Sequence, residues 1–281
     1  MAGRMPVGRF KAFEIHDPKQ RVIHAAPLWD RVAHHALVRH VEPRLERALL
    51  PSVFACRVGK GVHAALDHAQ RNSRRFAWVM HADIAQYFPS IDHLTLHSQL
   101  RRRFRGDGCA LLAAAIDAHG ARLGRGLPIG ALTSQHFANH YLNDADRWCL
   151  AQPGVRAHCR YMDDFLLWSH DRQALLDVQV RFADYLGDTL GLSLKPPLIQ
   201  RSWVGVRFCG ITVKPHALRL GLRRKRRFRA GIAHIEAAWL RGDINSATLQ
   251  QRVTALHSAL MPADSAEFRA RFLASKESLD A

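Results

Sequence analysis

Three aspartates are the residues of this chain whose type and spacing could do chemistry. Asp163 and Asp164 are adjacent and lie between two apolar runs in "RAHCRYMDDFLLWSH", and Asp83 ends a separate apolar run, "WVMHAD". Two adjacent acids alone most often form a solvated hairpin turn. If the strand that ends at Asp83 lies beside that hairpin, the three carboxylates meet, and they cannot all stay ionised without a cation.

Hard divalent cations take oxygen ligands, so this cluster predicts a site for Mg²⁺, with Mn²⁺ as a substitute. Two such ions, about 3.5–4 Å apart, activate an attacking hydroxyl and stabilise a leaving oxygen in phosphoryl transfer. The chain also has a net charge of +17, and nucleic acid is the commonest anionic partner of a protein this basic. The predicted class is therefore a polymerase or a nuclease.

The composition argues against several other classes of protein. No apolar run approaches the roughly 18–20 residues that cross a bilayer, and the N-terminal "MAGRMPVGRFKAFEIHDPKQ" lacks a signal peptide's apolar core. The five cysteines form no CxxC pair, which disfavours a zinc ribbon and a disulfide framework. His34, His35 and His40 have no accompanying cysteine or carboxylate pattern, so we interpret them as surface or hydrogen-bonded residues. We expect a soluble cytoplasmic protein with no membrane partner.

The elements that must position the aspartates follow from hydrophobic periodicity. A buried strand is predicted over residues 76–84, and a hairpin over 155–168 with its tight turn at 162–164. Helices are predicted over 28–50, 61–75, 94–104, 109–123 and 173–192, a long amphipathic helix over 131–150, and a strand pair over 203–213. Residues 214–241 hold nine Lys or Arg and one Glu and begin a basic helical tail. Interleaved strands and helices of this kind predict an α+β fold.

Five segments in order resemble the motifs of reverse transcriptases, the RNA-directed DNA polymerases. They are "FACRVGKG" (54–61), "ADIAQYFPSIDH" (82–93), "GLPIGALTSQ" (126–135), "YMDD" (161–164) and "GVRFCGI" (205–211). The resemblance covers about residues 20–211 and implies a right-hand polymerase fold. Its fingers would be residues 1–82, its palm an antiparallel sheet backed by helices over 83–211, and its thumb a short basic helical region over 212–281.

A finer resemblance lies in "IGALTSQ" (129–135), where group II intron and retron enzymes usually have Q-G-x-x-x-S-P. This form is similar to the reverse transcriptases of diversity-generating retroelements. Those enzymes copy a template RNA into cDNA with frequent errors opposite adenine, and they act with a small accessory protein. Two alternatives remain: another bacterial reverse transcriptase (retron, defence-system or CRISPR-associated), or a non-catalytic nucleic-acid-binding descendant.

The resemblance also implies roles for individual residues. The catalytic metal ligands for two Mg²⁺ ions would be Asp83, Asp163 and Asp164, with the backbone carbonyl of Ile84. Lys195 is a candidate for the lysine that protonates pyrophosphate, although it lies about three residues early. The residues expected to bind the deoxynucleoside triphosphate are Arg57, Lys60, Phe88, Ile129, Gly130 and Gln135.

The primer, the template RNA and the cDNA would contact a further set of residues. These are Tyr161, Met162, Phe208, Gly210, Arg223, Arg224, Arg226 and Arg227. Simpler interpretations remain open for some of them and for the nucleotide-binding set. Phe88 would otherwise be a core aromatic, Ile129 a packing residue, and the basic run of 222–229 a solvated helix face.

Overall fold

The computed structural model describes residues 10–16, 20–119 and 124–277, with the side chains of 275–277 left aside. The last residues of the helix predicted over 109–123 lie outside the described residues. So do parts of the N-terminal segment and the ends of the predicted fingers and thumb. None of the described helices is long and apolar enough to cross a membrane.

Within the described residues the chain forms nine strands and eleven helices. The strands are β1 (Lys11–His16), β2 (Gln20–Ala25), β3 (Trp78–Asp83), β4 (Ala157–Tyr161), β5 (Asp164–Ser169), β6 (Leu198–Arg201), β7 (Val206–Phe208), β8 (Ile211–Lys214) and β9 (Ala217–Leu220). The helices are α1 (Leu28–Ala48), α2 (Val62–Arg75), α3 (Tyr87–Ser90), α4 (His93–Arg101), α5 (Asp107–Asp117), α6 (Leu132–Tyr141), α7 (Asn143–Ala151), α8 (Arg172–Leu190), α9 (Leu222–Leu240), α10 (Ser246–Ser258) and α11 (Ala266–Glu277).

The central element is a four-stranded sheet in the order β4-β5-β3-β6, and every neighbouring pair is antiparallel. The predicted strand over 76–84 and the predicted hairpin are therefore confirmed. A second sheet of three antiparallel strands, β7-β8-β9, includes the strand pair predicted over 203–213. Together with the helices, these sheets confirm the α+β prediction.

Successive residues of the central strands point into two different cores, because side chains alternate between the two faces of a sheet. Phe165 and Leu167 of β5 pack in one core with α4 to α8, whereas Leu166 and Trp168 pack in a second core with α2 and the three-stranded sheet. A sheet covered on both faces needs apolar residues at every position. This explains the unbroken "FLLW" after the two aspartates.

One predicted helix is wrong and one hairpin was not predicted, each for an identifiable reason. The long helix predicted over 131–150 is wrong, because Leu142 leaves the helical conformation and α7 begins at Asn143. Leu142 and Tyr141 are both fully buried, so the hydrophobic pattern continues through the break and hides it. The hairpin of β1 and β2 was not predicted, because most of its side chains are exposed and no alternation marks it.

A buried ion pair connects the hairpin to the helices behind it. Arg160 of β4 donates through Nε and Nη2 to the two carboxylate oxygens of Asp146 on α7, each at 2.6 Å, and both side chains are 0% exposed. Its Nη1 also donates to Oδ1 of Asn139 and to the Met162 carbonyl, both at 2.9 Å. Burial alone would raise the pKa of Asp146, but the charge of Arg160 and a hydrogen bond from His158 lower it overall.

Removing one charge of this pair is expected to destabilise the whole chain. Asp146→Asn leaves the Arg160 charge buried without a counter-ion, which typically costs about 3–5 kcal/mol. Asp144→Asn on the same helix is the matched control, because its pair with Arg102 is exposed and such pairs contribute about 0–1 kcal/mol. Urea unfolding measures both free energies of unfolding, and equal effects of the two variants would contradict the expectation.

Candidate active site

The sheet brings the three predicted aspartates together at one end. Asp83, the last residue of β3, pairs directly with Asp164, the first residue of β5. Asp163 lies in the turn between β4 and β5, and its carbonyl accepts a hydrogen bond from the Ile84 N–H at 3.3 Å. The register therefore places a carboxylate on each of two neighbouring strands and a third in the adjoining turn.

The turn itself is held in an unfavourable conformation. Met162 has φ of 56°, and only four described residues other than glycine have positive φ: Cys56, Gln86, Met162 and Cys209. This region is disfavoured for residues with a Cβ and persists where surrounding contacts enforce it. The hydrogen bond from Arg160 to the Met162 carbonyl is one such contact.

Burial makes the ionised form of two of these acids unfavourable. Burial raises the pKa of Asp163, and the charges of Asp83 and Asp164 raise it further. Burial also raises the pKa of Asp164, and the charge of Asp83 adds to this. His81 and a hydrogen bond from the Cys209 backbone oppose the shift at Asp164 without cancelling it. The cluster therefore favours the entry of a cation.

Two basic side chains already contact this cluster. Lys195 Nζ lies 2.6 Å from Oδ1 of Asp83, and the Lys195 N–H donates to the Asp83 carbonyl at 2.9 Å. His81 Nε2 lies 2.5 Å from Oδ1 of Asp164. Burial lowers the pKa of His81, but the hydrogen bond and charge of Asp164 raise it overall. The charge of Lys195 and the hydrogen bond from His81 oppose the repulsion between the carboxylates.

His81 was missed by the sequence prediction, although a signal for it exists. It precedes Asp83 by two residues on β3, so the two side chains lie on the same face of the sheet. Lys195 was considered only as a donor to pyrophosphate. The structure places its ammonium group on Asp83, at the predicted metal ligands.

The donor set fits a hard divalent cation, because it consists of carboxylate oxygens. These carboxylates repel one another, and their partial burial limits the screening of this repulsion by water. Among the residues that the structure describes, no three His, Cys, Asp or Glu side chains stand ready in metal-binding geometry. Asp83 and Asp164 instead contact Lys195 and His81. A bound metal ion would therefore share these two carboxylates with the basic side chains or displace them.

The residues predicted to contact the nucleotide lie in several segments of the chain. Phe88 follows β3 on α3, is half-buried and meets the Tyr87 ring edge-on with centroids 5.7 Å apart. The Ile129 carbonyl accepts from the His24 N–H at 2.8 Å. Gly130 has φ of +113°, and a Cβ there would lie 3.0 Å from the His24 carbonyl. Glycine is therefore required for the close approach of β2.

In the turn that was predicted to hold the triphosphate, the two basic residues, Arg57 and Lys60, have different contacts. Arg57 is only 7% exposed, pairs with Glu46 at 2.6 Å and donates to the carbonyls of Leu50 and Val53. These contacts make Arg57 a structural residue of the turn, and the prediction that it holds the triphosphate does not fit them. Its guanidinium is already fully engaged by groups that are part of the chain.

Lys60 and Gln135 also contact other parts of the chain, and their predicted contact with the nucleotide stays a prediction. Lys60 donates to the Pro51 carbonyl and lies 4.9 Å from the centre of the Phe54 ring. Burial, and then the charge of Arg57, lower the pKa of Lys60. Gln135 accepts a hydrogen bond from Cys56 Sγ at 3.4 Å, which joins α6 to the turn.

Of the residues predicted to contact primer and template, some are buried and others are exposed. Phe208 is fully buried in the second core, so a direct contact of its side chain with a primer is wrong for this structure. It supports the turn that follows it, where Arg224 donates to the Cys209 carbonyl at 3.0 Å and closes over Gly210. Tyr161 and Met162 remain partly exposed beside the aspartates. On α9, the predicted contact residues Arg223, Arg226 and Arg227 are exposed, whereas Arg224 is partly buried.

This fold and carboxylate geometry are those of a right-hand polymerase palm. The family model described as "Reverse transcriptase (RNA-dependent DNA polymerase)" matches residues 16–213. The chain therefore belongs to the reverse transcriptase family. The matched range contains the three aspartates and all five motifs, and members of this family use divalent metal ions. No curated protein matches the chain.

Solved structures with the same fold include telomerases. Apo telomerase from Candida tropicalis superposes with a TM-score of 0.58 and 11% identity, over 91% of this chain and 58% of that one. Telomerase from Candida albicans, in complex with a TWJ fragment of telomeric RNA, gives a TM-score of 0.54 and 12% identity, over 76% of this chain and 45% of that one. The chain thus spans about half the length of these proteins, and the likeness confirms the polymerase fold.

Neutralising Asp163 is expected to stabilise the metal-free chain. Below its ordinary pKa, a carboxyl whose pKa is raised by folding is protonated in both the folded and the unfolded state, so it does not destabilise the fold. Above the raised pKa it is ionised in both states, and the folded chain then bears the full energetic cost of the charge. Asp163→Asn should therefore raise the melting temperature at pH 7 in a chelating buffer. It should also reduce the further rise that Mg²⁺ gives to the unaltered protein.

Thermal unfolding with and without Mg²⁺ measures both effects. Asp188→Asn is the control: this residue is exposed in the last turn of α8, so its neutralisation should raise the melting temperature only slightly and leave the response to Mg²⁺ unchanged. A lower melting temperature of Asp163→Asn at pH 7 than that of the unaltered chain would contradict the raised pKa.

Proposed function

We propose that this protein is an RNA-directed DNA polymerase that extends a primer on an RNA template with deoxynucleoside triphosphates. The observation that carries the proposal is the direct pairing of Asp83 with Asp164, beside Asp163, in a chain of the reverse transcriptase family. In the reaction the primer 3′-oxygen forms a bond to the α-phosphorus, and pyrophosphate leaves with the electrons of the broken P–O bond.

Asp83, Asp163 and Asp164 would hold two Mg²⁺ ions, for which Mn²⁺ is a substitute, with the Ile84 carbonyl as a further ligand. Bound there, such ions would activate the primer hydroxyl and stabilise the charge on the departing pyrophosphate. His81 keeps Asp164 oriented through its 2.5 Å contact. Lys195, 2.6 Å from Asp83, is near enough to give a proton to pyrophosphate once the carboxylate has turned to the metal.

Discrimination among nucleotides would rest on the residues that surround this centre. The ring of Phe88 would lie under the sugar and leave no room for a 2′-hydroxyl, which favours deoxynucleotides. Lys60 would meet the triphosphate as a point charge. Ile129 cannot donate a hydrogen bond, so selection near it would depend on shape, with Gly130 and Gln135 completing this side of the site.

The predicted boundary between fingers (1–82) and palm (83–211) cuts β3, which is an inner strand of the four-stranded sheet. We therefore assign the fingers to residues 1–77, the palm with an interleaved fingers segment to 78–211 and the thumb to 212–281. The partners would be template RNA, primer and cDNA in the cytoplasm. A telomerase of the same fold has been solved with RNA, which supports an RNA partner. The segment 129–135 favours the error-prone enzyme of a diversity-generating retroelement, acting with a small accessory protein. The alternative is another bacterial reverse transcriptase, and a template/variable repeat pair beside the gene would distinguish the two.

Primer extension on an RNA template tests the activity. The unaltered chain should incorporate deoxynucleotides in the presence of Mg²⁺. Asp163→Asn should reduce the rate by at least about 10²-fold, because one charge is lost at the centre of electrostatic stabilisation. Asp188→Asn should leave extension unchanged. Absence of incorporation by the unaltered chain, with metal and any accessory protein supplied, would favour a non-catalytic nucleic-acid-binding descendant.

The apolar residue at position 129 is expected to lower fidelity. Ile129→Gln restores an amide that can hydrogen-bond near the incoming nucleotide, so errors opposite adenine should become less frequent. Ile129→Leu is the matched control, because it keeps an apolar side chain of the same volume and should keep the error rate. Sequencing of the cDNA products measures this, and equal error rates in all three proteins would reject the hypothesis.

A further inference from the structure

The cations of α9 divide between two faces of the helix. Arg224 and Arg227 line a groove of about 700 Å³, together with residues of α10 and His63 of α2. We call this the inner groove. Arg224 also donates to the Cys209 carbonyl, so this face of α9 contacts the turn beside Asp164.

A second groove, of about 960 Å³, opens on another face of α9. We call it the outer groove. It lies between α9, β9 and α11, and no residue of the four-stranded sheet lines it. Its basic residues are Arg219, Lys225, Arg226, Arg229 and Arg271. Arg226, which the sequence assigned to the same path as Arg224, therefore faces a different groove.

The outer groove keeps an excess of positive charge after its own acids are counted. Two carboxylates line it, Asp264 and Glu267, against five cations. Glu267 is paired with Arg271 at 2.5 Å. Asp264 accepts a hydrogen bond from the Leu218 N–H at 2.7 Å, so it serves the backbone of β9. The groove is therefore complementary to an anionic ligand.

Aromatic rings form part of its surface. Lys225 and Arg229 lie over the ring of Phe268, at 5.3 and 5.5 Å from its centre. The ring of Phe228 contacts both Phe268 and Phe272 edge-on, with centroids 5.8 and 5.4 Å apart, which holds them in place. Bases stack on aromatic rings and on guanidinium planes, while arginine forks bind phosphate.

We propose that the outer groove binds a single-stranded segment of the template RNA, outside the primer–template duplex. Its aromatic rings and arginine forks suit the unstacked bases and the phosphates of a single strand, whereas the bases of a duplex are already stacked on one another. An acidic peptide would match the charge but would make no use of the stacking surface. The inference rests on the proposed function, since the strand it assigns is the template.

The test compares two double variants with the same change in charge. Arg219→Glu with Arg229→Glu removes two exposed arginines of the outer groove. Arg105→Glu with Arg181→Glu removes two exposed arginines that do not line it. Fluorescence anisotropy of labelled single-stranded RNA and of a blunt RNA–DNA duplex is measured for the full chain over a series of salt concentrations.

The outer-groove variant should bind single-stranded RNA at least tenfold more weakly than the control variant. Its salt slope should fall by about 1.4, because each phosphate contact of a single strand contributes about 0.7. Duplex affinity should match that of the control. Equal single-strand affinities of the two variants, an equal loss for duplex and single strand, or displacement of the RNA by a glutamate-rich peptide would each overturn the proposal.

Two further measurements keep the outcomes separate. If the Glu variant fails to fold, as judged by thermal unfolding, Arg219→Gln with Arg229→Gln is tested in its place, with the matching Gln control. Primer extension is followed in parallel with the unaltered chain. An inactive chain with the expected RNA binding would refute only the proposed polymerase, whereas an active chain with unchanged binding in the variant would refute only the outer groove.

Discussion

The pairing of Arg160 with Asp146 is the interaction on which the rest of the site depends. From one buried position Arg160 reaches α6 through Asn139, α7 through Asp146 and the turn before Asp163 through the Met162 carbonyl. Burying two charges costs several kcal/mol per ion, and the pair offsets this only with good geometry and additional hydrogen bonds. Its value to the fold is therefore positional, because it fixes the turn that carries Asp163 relative to the helices behind the sheet.

The backbone conformation and the charge of the site that this pair holds in place are energetically unfavourable. Two buried carboxylates have raised pKa values, and Met162 adopts a left-handed conformation between them and the ion pair. Such strain persists only where the surroundings enforce it. Here the enforcement comes from a sheet with a packed core on each face, so the two cores stabilise a local arrangement that would not form alone.

The sequence predicted what periodicity and chemistry express directly: the strand ending at Asp83, the acidic hairpin and the α+β fold. It could not reveal partners that depend on three-dimensional contacts. A basic residue in a turn is expected to be solvated, but Arg57 is paired with Glu46. Phe208 lies in a short strand and is expected from the sequence to be accessible to a primer, but it is buried in the second core. The position of His81, two residues before Asp83, marked it for the same face of the sheet, but its partner Asp164 emerged only from the register of β3 with β5.

The loop before the fingers turn has a consequence for motion. Arg160 donates its N–H to the Ser52 carbonyl and accepts from the Phe54 N–H, so this loop is joined to β4 like an additional strand. Residues 52–54 therefore cannot shift without moving the hairpin that carries Asp163 and Asp164. The turn beyond them is tied to the same loop, because Arg57 donates to the Leu50 and Val53 carbonyls and the Gly61 N–H donates to the Phe54 carbonyl. Loop, turn and acidic hairpin thus form one hydrogen-bonded unit, so a displacement of the turn is transmitted to the backbone beside the aspartates.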